Sequence, residues 1–355
     1  MFNYFLGVAL VAAPFFIKMG ARTTTNVSQE FFLIFSTLVM FFIFGIKKIH
    51  LNLKILGLMV AGLSFITHNP FGVSQYYQWM LSISGVVFMM IVCSYAHDIK
   101  IKTIEKSFAI ICVLESAWIF FQYFGISLHN TWFNLLVPNG HIQSLNNSAI
   151  FGSMGNINHG GALIAVTIPF LPIYLWPIPF IALYLGNGAL PVICAVIAII
   201  ALYSYRREIY LPLKIAACGL FMSALAMVGG LFTEKSFFYG SGRVEAWKLA
   251  LKDSGISIFG KGLGYVPEIF SKKEILGEHY FQLHNEWLEL YVVAGLLGVV
   301  VGVYLILPIF KNRGNPAINA CAIALLVNSL GNFTFHIAPL FMVFGTCYAL
   351  QLAKE

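Results

Sequence analysis

Charged side chains are scarce in this chain of 355 residues: they make up 10% of it, whereas hydrophobic residues make up 59%. A soluble domain has about a quarter of its residues charged. So low a charge content cannot cover a water-facing surface of this size, which excludes an ordinary soluble domain. A bilayer needs no polar cover and instead requires runs of about 20 apolar residues per helix. Such runs recur along the whole sequence.

Aspartate is nearly absent, with only Asp98 and Asp253 in the sequence. An Asp-x-Asp motif for a metal–diphosphate complex therefore does not exist, and neither His-Glu-x-x-His nor a Cys/His zinc spacing occurs. The six cysteines all lie in apolar segments, where they are expected to be small buried side chains. The sequence thus predicts a protein that uses neither a metal nor another cofactor.

Apolar segments that end at polar, glycine or proline residues predict an all-α polytopic membrane protein with about twelve transmembrane helices. The whole chain, 1–355, would form a single membrane domain. The seventh and the last helix are short for a full crossing. The predicted helices are 3–19, 30–46, 51–67, 78–96, 104–125, 160–176, 178–186, 188–204, 211–230, 286–309, 316–333 and 337–351.

The basic residues of the short loops predict the orientation. Five basic loops and tails, whose residues are given below, follow even-numbered helices and so lie on one side, which the positive-inside rule makes cytoplasmic together with both termini. This placement accounts for much of the net charge of +7 without a nucleic-acid partner. The residues concerned are Lys47, Lys48, Lys54, Lys100, Lys102, Lys106, Arg206, Arg207, Lys214, Lys311, Arg313 and Lys354.

Two long segments lie on the predicted external side. The first, 126–159, is uncharged apart from histidines and is rich in asparagine and glycine. The second, 231–285, carries most of the charge of the outer face, including seven lysine and arginine residues. Long loops escape the positive-inside rule, so topology does not explain these cations, and a binding function is an alternative explanation.

Within the second segment, the residues after Gly242 show the spacing of an amphipathic helix. Val244, Trp247 and Leu251 share one face, which predicts a short helix at the membrane surface with its tryptophan at headgroup depth. Arg243 would stand at the start of this helix. A guanidinium beside free backbone N–H groups is a good receptor for a diphosphate; the alternatives are a lipid-headgroup anchor and a loop salt bridge.

His284 and Asn285 stand where the second segment gives way to the tenth apolar helix. Glu286 and Glu289 would lie in its first turn, where carboxylates are favourable. An external imidazole can act as a base near neutral pH, or His284 is an interfacial histidine without a catalytic role. His279, in the same segment, is a rival for the role of base.

Three further features leave alternatives open. Asn156 and Asn158 either cap the sixth helix or bind sugar hydroxyls. The stretch Phe259–Tyr265 alternates glycines but lacks the Gly-Lys-Ser/Thr ending of a P-loop, which favours a tight structural turn. Glu115 lies inside the fifth helix, where a carboxyl group is either functional or paired with a neighbouring helix.

Taken in order, these motifs resemble the bacterial O-antigen ligase and O-antigen polymerase superfamily. That family has His-Asn, nine residues and Gly-x-x-Gly; here nine residues, 286–294, separate His284-Asn285 from Gly295-Leu296-Leu297-Gly298. Upstream, the family shows Gly-Arg, a tryptophan and a Phe-Gly-x-Gly turn, which match Gly242-Arg243, Trp247 and Phe259-Gly260-Lys261-Gly262. Its Gly-x-x-Asn-x-Asn segment resembles Gly152 to Asn158. The resemblance covers about 150 to 300.

The resemblance implies a GT-C-like enzyme in the bacterial inner membrane, with its active site facing the periplasm. It would transfer a glycan from a polyprenyl-diphosphate carrier to an acceptor hydroxyl of a lipid or a glycan. Arg243 would bind the diphosphate and His284 would accept the proton of the attacking hydroxyl. Asn285, Trp247, Asn156, Asn158, Asn187 and Lys261 would contribute to substrate binding. No ATP motif is required, since the donor already stores the energy.

One stretch departs from the family pattern. Where members often carry Ser-Arg-Gly-Ala, this sequence has Gly186-Asn187-Gly188-Ala189, with Asn187 in place of the arginine. Arg22, Lys261, Lys272 and Lys273 are candidates to replace that positive charge.

Four functions remain as hypotheses. A ligase would transfer the whole glycan to its final acceptor, whereas a polymerase would transfer it to the next repeat unit on its carrier. A protein O-glycosyltransferase usually needs an additional C-terminal domain. A transporter or flippase would require charges or broken helices near the middle of the membrane, where this sequence has few charges.

Overall fold

The structure is a computed structural model, which describes residues 1–15, 25–47, 49–65, 73–126, 152–154, 156–207, 243–271, 282–310, 314–332 and 334–353. Within these ranges all regular secondary structure is helical, which confirms the predicted all-α class. The α-helices are α1 Phe2–Ala12, α2 Thr25–Phe44, α3 Leu51–Phe65, α4 Val73–Ser94, α5 Ile101–Tyr123, α6 Ile157–Thr167, α7 Pro177–Gly186, α8 Ala189–Arg206, α9 Arg243–Ser254, α10 Tyr265–Ser271, α11 Glu286–Phe310, α12 Pro316–Asn328 and α13 Ala338–Leu352.

The positions of the predicted apolar helices agree with these elements, except that the predicted helix 211–230 lies outside the described residues. The helix predicted at 3–19 ends earlier, because α1 changes at Ala13 into the 3-10 turn Ala13–Phe15, where Pro14 has no N–H to donate. The helix predicted at 160–176 begins earlier, at Ile157, and Pro169 and Pro172 interrupt its second half.

Two of the described helices, α8 and α11, are long and apolar enough to cross a membrane. Eight shorter apolar helices or helical segments have 10–17 residues. The number of twelve crossings therefore stays a prediction.

The interior is formed where small side chains let helices approach closely. Helix α12 packs extensively on α8, and every residue from Ala317 to Asn328 is buried. Helix α6 packs on both α8 and α12; a Cβ atom at Gly161 would lie 2.9 Å from Pro191 of α8. Such close contact between small-residue helices strengthens van der Waals packing, the attraction that does not depend on water.

One end of the helices gathers several of the short basic loops, and we call it the basic end. Asn3 donates to the Asp98 carbonyl at 3.0 Å and accepts from the Lys100 amide at 2.9 Å. Lys47 forms a 3.7 Å ion pair with Asp98. Before α12, the Asn315 amide donates to Glu105 at 2.6 Å.

The opposite end gathers the residues of the sequence motifs, and we call it the motif end. The Gly152 amide donates to the Gln122 side chain at 2.9 Å, which ties the segment before α6 to the last turn of α5. The Glu286 amide at the start of α11 donates to the Ser329 carbonyl after α12, also at 2.9 Å. Gly331 lies against Leu190 at the start of α8. Segments far apart in sequence thus meet around one end of the helices.

Candidate functional site

Arg243 is the first residue of α9 and lies at the motif end. One guanidinium nitrogen, Nη1, donates to the Gly331 carbonyl at 3.0 Å. Gly331 belongs to the turn that follows α12, so the arginine bridges α9 and that turn. The guanidinium has five donor hydrogens in a planar fork, a geometry that suits two oxygens of a phosphate group.

The amphipathic pattern of α9 is confirmed, but its apolar face packs against protein. Val244 is buried, Trp247 and Ala250 belong to a buried cluster that includes Phe270 and Val292, and Lys248 is exposed. Trp247 is 2% exposed, so protein and not lipid covers its ring. Its depth relative to the lipid headgroups stays a prediction. A buried indole N–H needs an acceptor, and Trp247 donates to the Leu283 carbonyl at 2.6 Å.

His284 is held in a left-handed backbone conformation, with φ 53°. The residue before it is fixed by two hydrogen bonds, because Leu283 accepts from Trp247 and donates its amide to Glu289 Oε2 at 3.2 Å. Asn285, the residue after it, is buried, and its Oδ1 accepts from the Leu288 amide at 3.0 Å. This bond caps α11; a substrate-binding role for Asn285 stays a prediction.

The imidazole of His284 is also an electrostatic neighbour of Arg243. Burial lowers the pKa of His284, and the charge of Arg243 lowers it further, to about 3. His284 is therefore neutral at pH 7, the state in which an imidazole accepts a proton. The sequence paired these two residues by motif order, and the structure brings them together.

The asparagines singled out from the sequence have structural roles in the described contacts. Asn156 caps α6, its Oδ1 accepting the Asn158 amide at 2.9 Å. Asn187 adopts φ 54° and ends α7 with a left-handed residue, a conformation that asparagine tolerates well. The Asn158 side chain lies 3.6 Å from the Cβ position of Gly188, so α6 begins beside the turn between α7 and α8. Their substrate contacts stay predictions.

The Phe-Gly-x-Gly turn and the Gly-x-x-Gly stretch are packed on each other. The amides of Lys261 and Gly262 donate to the carbonyls of Val292 and Val293, both at 2.9 Å. Gly295, with φ 69°, breaks the regular geometry of α11 at this contact. The structural interpretation of Phe259–Tyr265 is confirmed. Lys261 is bonded to Val292, which lies about 9 Å along α11 from Glu286 at the motif end. The described contacts do not bring Lys261 together with Arg243.

A histidine that the sequence analysis did not single out completes the motif end. His336, in the turn before α13, directs Nδ1 to Glu286 at 3.3 Å and Nε2 to Glu289 at 3.4 Å. Burial alone lowers the pKa of His336, but the two glutamates, with a contribution from Glu30, outweigh it and raise the pKa to about 10. The only sequence signal is a histidine in a predicted external turn, which does not identify its partners.

Glu115 is fully buried in α5 and binds the segment before α6. Its Oε1 accepts the Ser153 amide at 2.9 Å, and a Cβ atom at either Gly152 or Gly160 would collide with the same oxygen. Among the described contacts, the Glu115 carboxyl group therefore binds the backbone of a turn in the first long segment.

Among the described residues, no cluster of three or more His, Cys, Asp or Glu side chains is arranged to hold a metal ion. Whether the protein needs a metal stays a prediction.

No protein-family model matches the chain, and a search of curated proteins finds no significant relative.

Proposed function

We propose that this protein is a polytopic membrane glycosyltransferase that moves a glycan from a polyprenyl-diphosphate carrier to an acceptor hydroxyl at the outer face of the bacterial inner membrane. The observation that carries the proposal is the pairing of Arg243 with His284. A permanent cation at a helix start and a neutral imidazole lie together at the motif end, where the Asn156–Asn158 segment also begins α6.

Several features support a membrane location. The composition is apolar, α8 and α11 are long enough to cross, and large side chains of α2 such as Phe31, Phe35 and Phe42 are exposed. Exposed phenylalanines along one helix are favourable when lipid surrounds them. The basic end would face the cytoplasm and the motif end the periplasm, because loops rich in lysine and arginine remain inside.

The chemistry follows from the two side chains. The acceptor oxygen forms a bond to the anomeric carbon of the donor, while the bond from that carbon to the diphosphate oxygen breaks. The diphosphate leaves with the electron pair, and the guanidinium of Arg243 stabilises its charge. The proton of the acceptor hydroxyl goes to the neutral imidazole of His284.

The acceptor distinguishes the two functions that share this chemistry. We favour a ligase, which transfers to a final acceptor, because of the His-Asn-x9-Gly-x-x-Gly match. A polymerase of the same superfamily, with a carrier-linked glycan as acceptor, is the second candidate. A transporter is disfavoured because the paired cation and imidazole lie at one end of the helices.

The test is a transfer assay with purified protein in detergent or nanodiscs. The donor is a polyprenyl-diphosphate-linked glycan, offered with either a lipid acceptor or a second carrier-linked glycan. We expect release of polyprenyl diphosphate coupled to product formation, undiminished by excess EDTA. Activity that EDTA abolishes and Mg²⁺ or Mn²⁺ restores would contradict the metal-independent mechanism, and donor movement without bond cleavage would favour a transporter.

A further inference from the structure

The residue before His284 is fixed from two directions. Trp247, on the helix that begins with Arg243, donates to the Leu283 carbonyl at 2.6 Å, and the Leu283 amide donates to Glu289 Oε2 at 3.2 Å. Both backbone groups of one residue are therefore occupied by side chains from different helices. The position of the neighbouring His284 imidazole depends on both bonds, since its left-handed backbone is costly unless the surroundings impose it.

The Glu289 carboxylate is in turn held by His336. Both imidazole nitrogens face carboxylates, Nδ1 toward Glu286 at 3.3 Å and Nε2 toward Glu289 at 3.4 Å. An imidazole donates from both nitrogens only when it is protonated, and the raised pKa of His336 agrees with that state. The side chains of Glu286 and Glu289 are 9% and 8% exposed. Two carboxylates three residues apart in such a setting would repel each other without a cation between them.

The turn that carries His336 also contacts Arg243. Ser329 accepts from the Glu286 amide at 2.9 Å, Gly331 accepts from Arg243 at 3.0 Å, and Phe335 donates its amide to Glu286 at 2.5 Å. The segment from 329 to 336 thus connects the arginine to the helix start behind the histidine. Its one titratable side chain among the described residues is His336.

We infer that His336 is a positioning residue: its imidazolium holds Glu289 in the orientation that fixes the Leu283 backbone, and thereby sets the place of His284 relative to Arg243. The inference rests on the proposed function for its kinetic consequence, whereas its geometric consequence can be measured without any transfer. His336 touches no reacting group and acts on His284 through Glu289, while Glu286 and, less strongly, Glu30 share its charge.

The informative variant is His336→Gln, which removes the positive charge and keeps a side chain that can donate one hydrogen bond. We expect kcat to fall about 10- to 100-fold, the range for a misplaced catalytic group, and the donor KM to stay within about twofold, because Arg243 keeps its Gly331 contact. Adding Glu286→Gln removes the carboxylate repulsion and should restore much of kcat. His50→Gln, at the basic end, is the matched control and should leave both constants unchanged.

A double-mutant cycle separates positioning from general stabilisation. If His336 acts through His284, then His336→Gln should have no further effect in a His284→Ala background. An equal loss in both backgrounds would overturn the inference.

The geometric readout is NMR of protein labelled with ¹⁵N-histidine, in detergent, with the His284 signals assigned from the His284→Ala spectrum. His336→Gln should shift the His284 imidazole signals, and the Glu286→Gln second change should return them toward their wild-type positions. Unchanged His284 signals in His336→Gln would overturn the inference, whatever the activity. Shifted signals in a protein that transfers no glycan from any lipid-diphosphate donor would overturn the proposed function and leave the positioning role standing.

Discussion

His284 is a half-buried imidazole that interacts electrostatically with the guanidinium of Arg243, and this environment controls when it can accept a proton. An interfacial histidine with an ordinary pKa would change its charge between pH 6 and 7. Burial and Arg243 instead lower the pKa of His284 to about 3. The imidazole is thus neutral over the whole range in which the protein is expected to work. A bound diphosphate would offset the charge of Arg243 and raise the pKa of His284 in the complex.

These opposing effects predict the pH dependence of transfer. The profile of kcat/KM, which reports the free enzyme, should show no histidine limb between pH 5 and 8. Any limb in kcat should lie at a higher pH than in kcat/KM, since the bound donor raises the pKa of His284.

His284→Ala should lose about 10² to 10⁴ in rate together with any such limb. His279→Ala, in the part of the loop outside the described residues, should be mild. A limb near pH 6.5 in kcat/KM that survives in His284→Ala would show that another group is the base.

Arg243 differs from the other cations of its helix because it begins the helix and contacts Gly331. Arg243→Ala should abolish transfer, and Arg243→Lys should retain a small part, since an ammonium cannot hold two phosphate oxygens with a planar fork. Lys248→Ala removes an exposed charge from the same helix and should keep the wild-type rate within about twofold. Initial rates and the thermal midpoint in detergent would be measured for each. A well-folded Arg243→Ala variant with near wild-type turnover would exclude the diphosphate role.

At the scale of elements, the contact between the 257–262 turn and α11 is made by backbone on backbone. Gly260 has φ 72°, and a Cβ atom there would collide with the Val293 carbonyl; a Cβ atom at Gly295 would collide with the Ile258 carbonyl. The amides of Leu296 and Leu297 also donate to Ser257 and Ile258, both at 3.0 Å. Gly260 and Gly295 come from two motifs that are separated in sequence. Both must be glycine at this contact, because each Cα has room for a hydrogen atom and not for a Cβ atom.

This contact predicts a difference between two glycine substitutions in one loop. Gly255→Ala introduces a side chain at φ 61° with open space around it, and should cost about 1 to 2 kcal/mol for the left-handed backbone alone. Gly260→Ala has the same backbone strain and adds the collision, so it should cost roughly 2 kcal/mol or more beyond that. Unfolding midpoints in detergent would measure the difference. Equal losses would show that the turn and α11 are not tightly packed.

At the scale of the whole molecule, the two ends of the helices differ in their residues. The basic end joins Asn3, Lys47, Asp98 and Asn315, and the motif end joins Gly152, Arg243 and Ser329. If the chain spans a membrane, these two ends lie on opposite sides of it.

Cysteine labelling tests that arrangement. Lys248→Cys and His97→Cys place a thiol at exposed positions near the motif end and the basic end, respectively. The native cysteines that the structure describes are buried, so they should give little background. An impermeant maleimide should label Lys248→Cys in intact spheroplasts and His97→Cys only after permeabilisation. Labelling of both variants from outside would contradict the proposed orientation.

The sequence by itself determined the features that depend on neighbours a few residues away. Apolar runs placed the helices, and Glu286 and Glu289 were expected in the first turn of α11, where they lie. A capping role for Asn156 was one of two alternatives, and its side chain does cap α6. The interruptions at Pro14 and Pro169 were not predicted. Capping and helical periodicity act within one or two turns, so they can be read along the chain. The pairing of Arg243 with His284 was available only through the order of the motifs.

Only the tertiary structure decided which distant groups meet. Trp247 reaches Leu283 across 36 positions, and His336 reaches Glu286 across 50. Such contacts depend on how the helices pack, and a tryptophan on an amphipathic face has the same sequence pattern whether lipid or protein covers it. For the same reason the pKa of His336 is raised and the pKa of His284 is lowered, although both are histidines at the motif end. Two carboxylates face His336, whereas burial and the guanidinium of Arg243 act on His284.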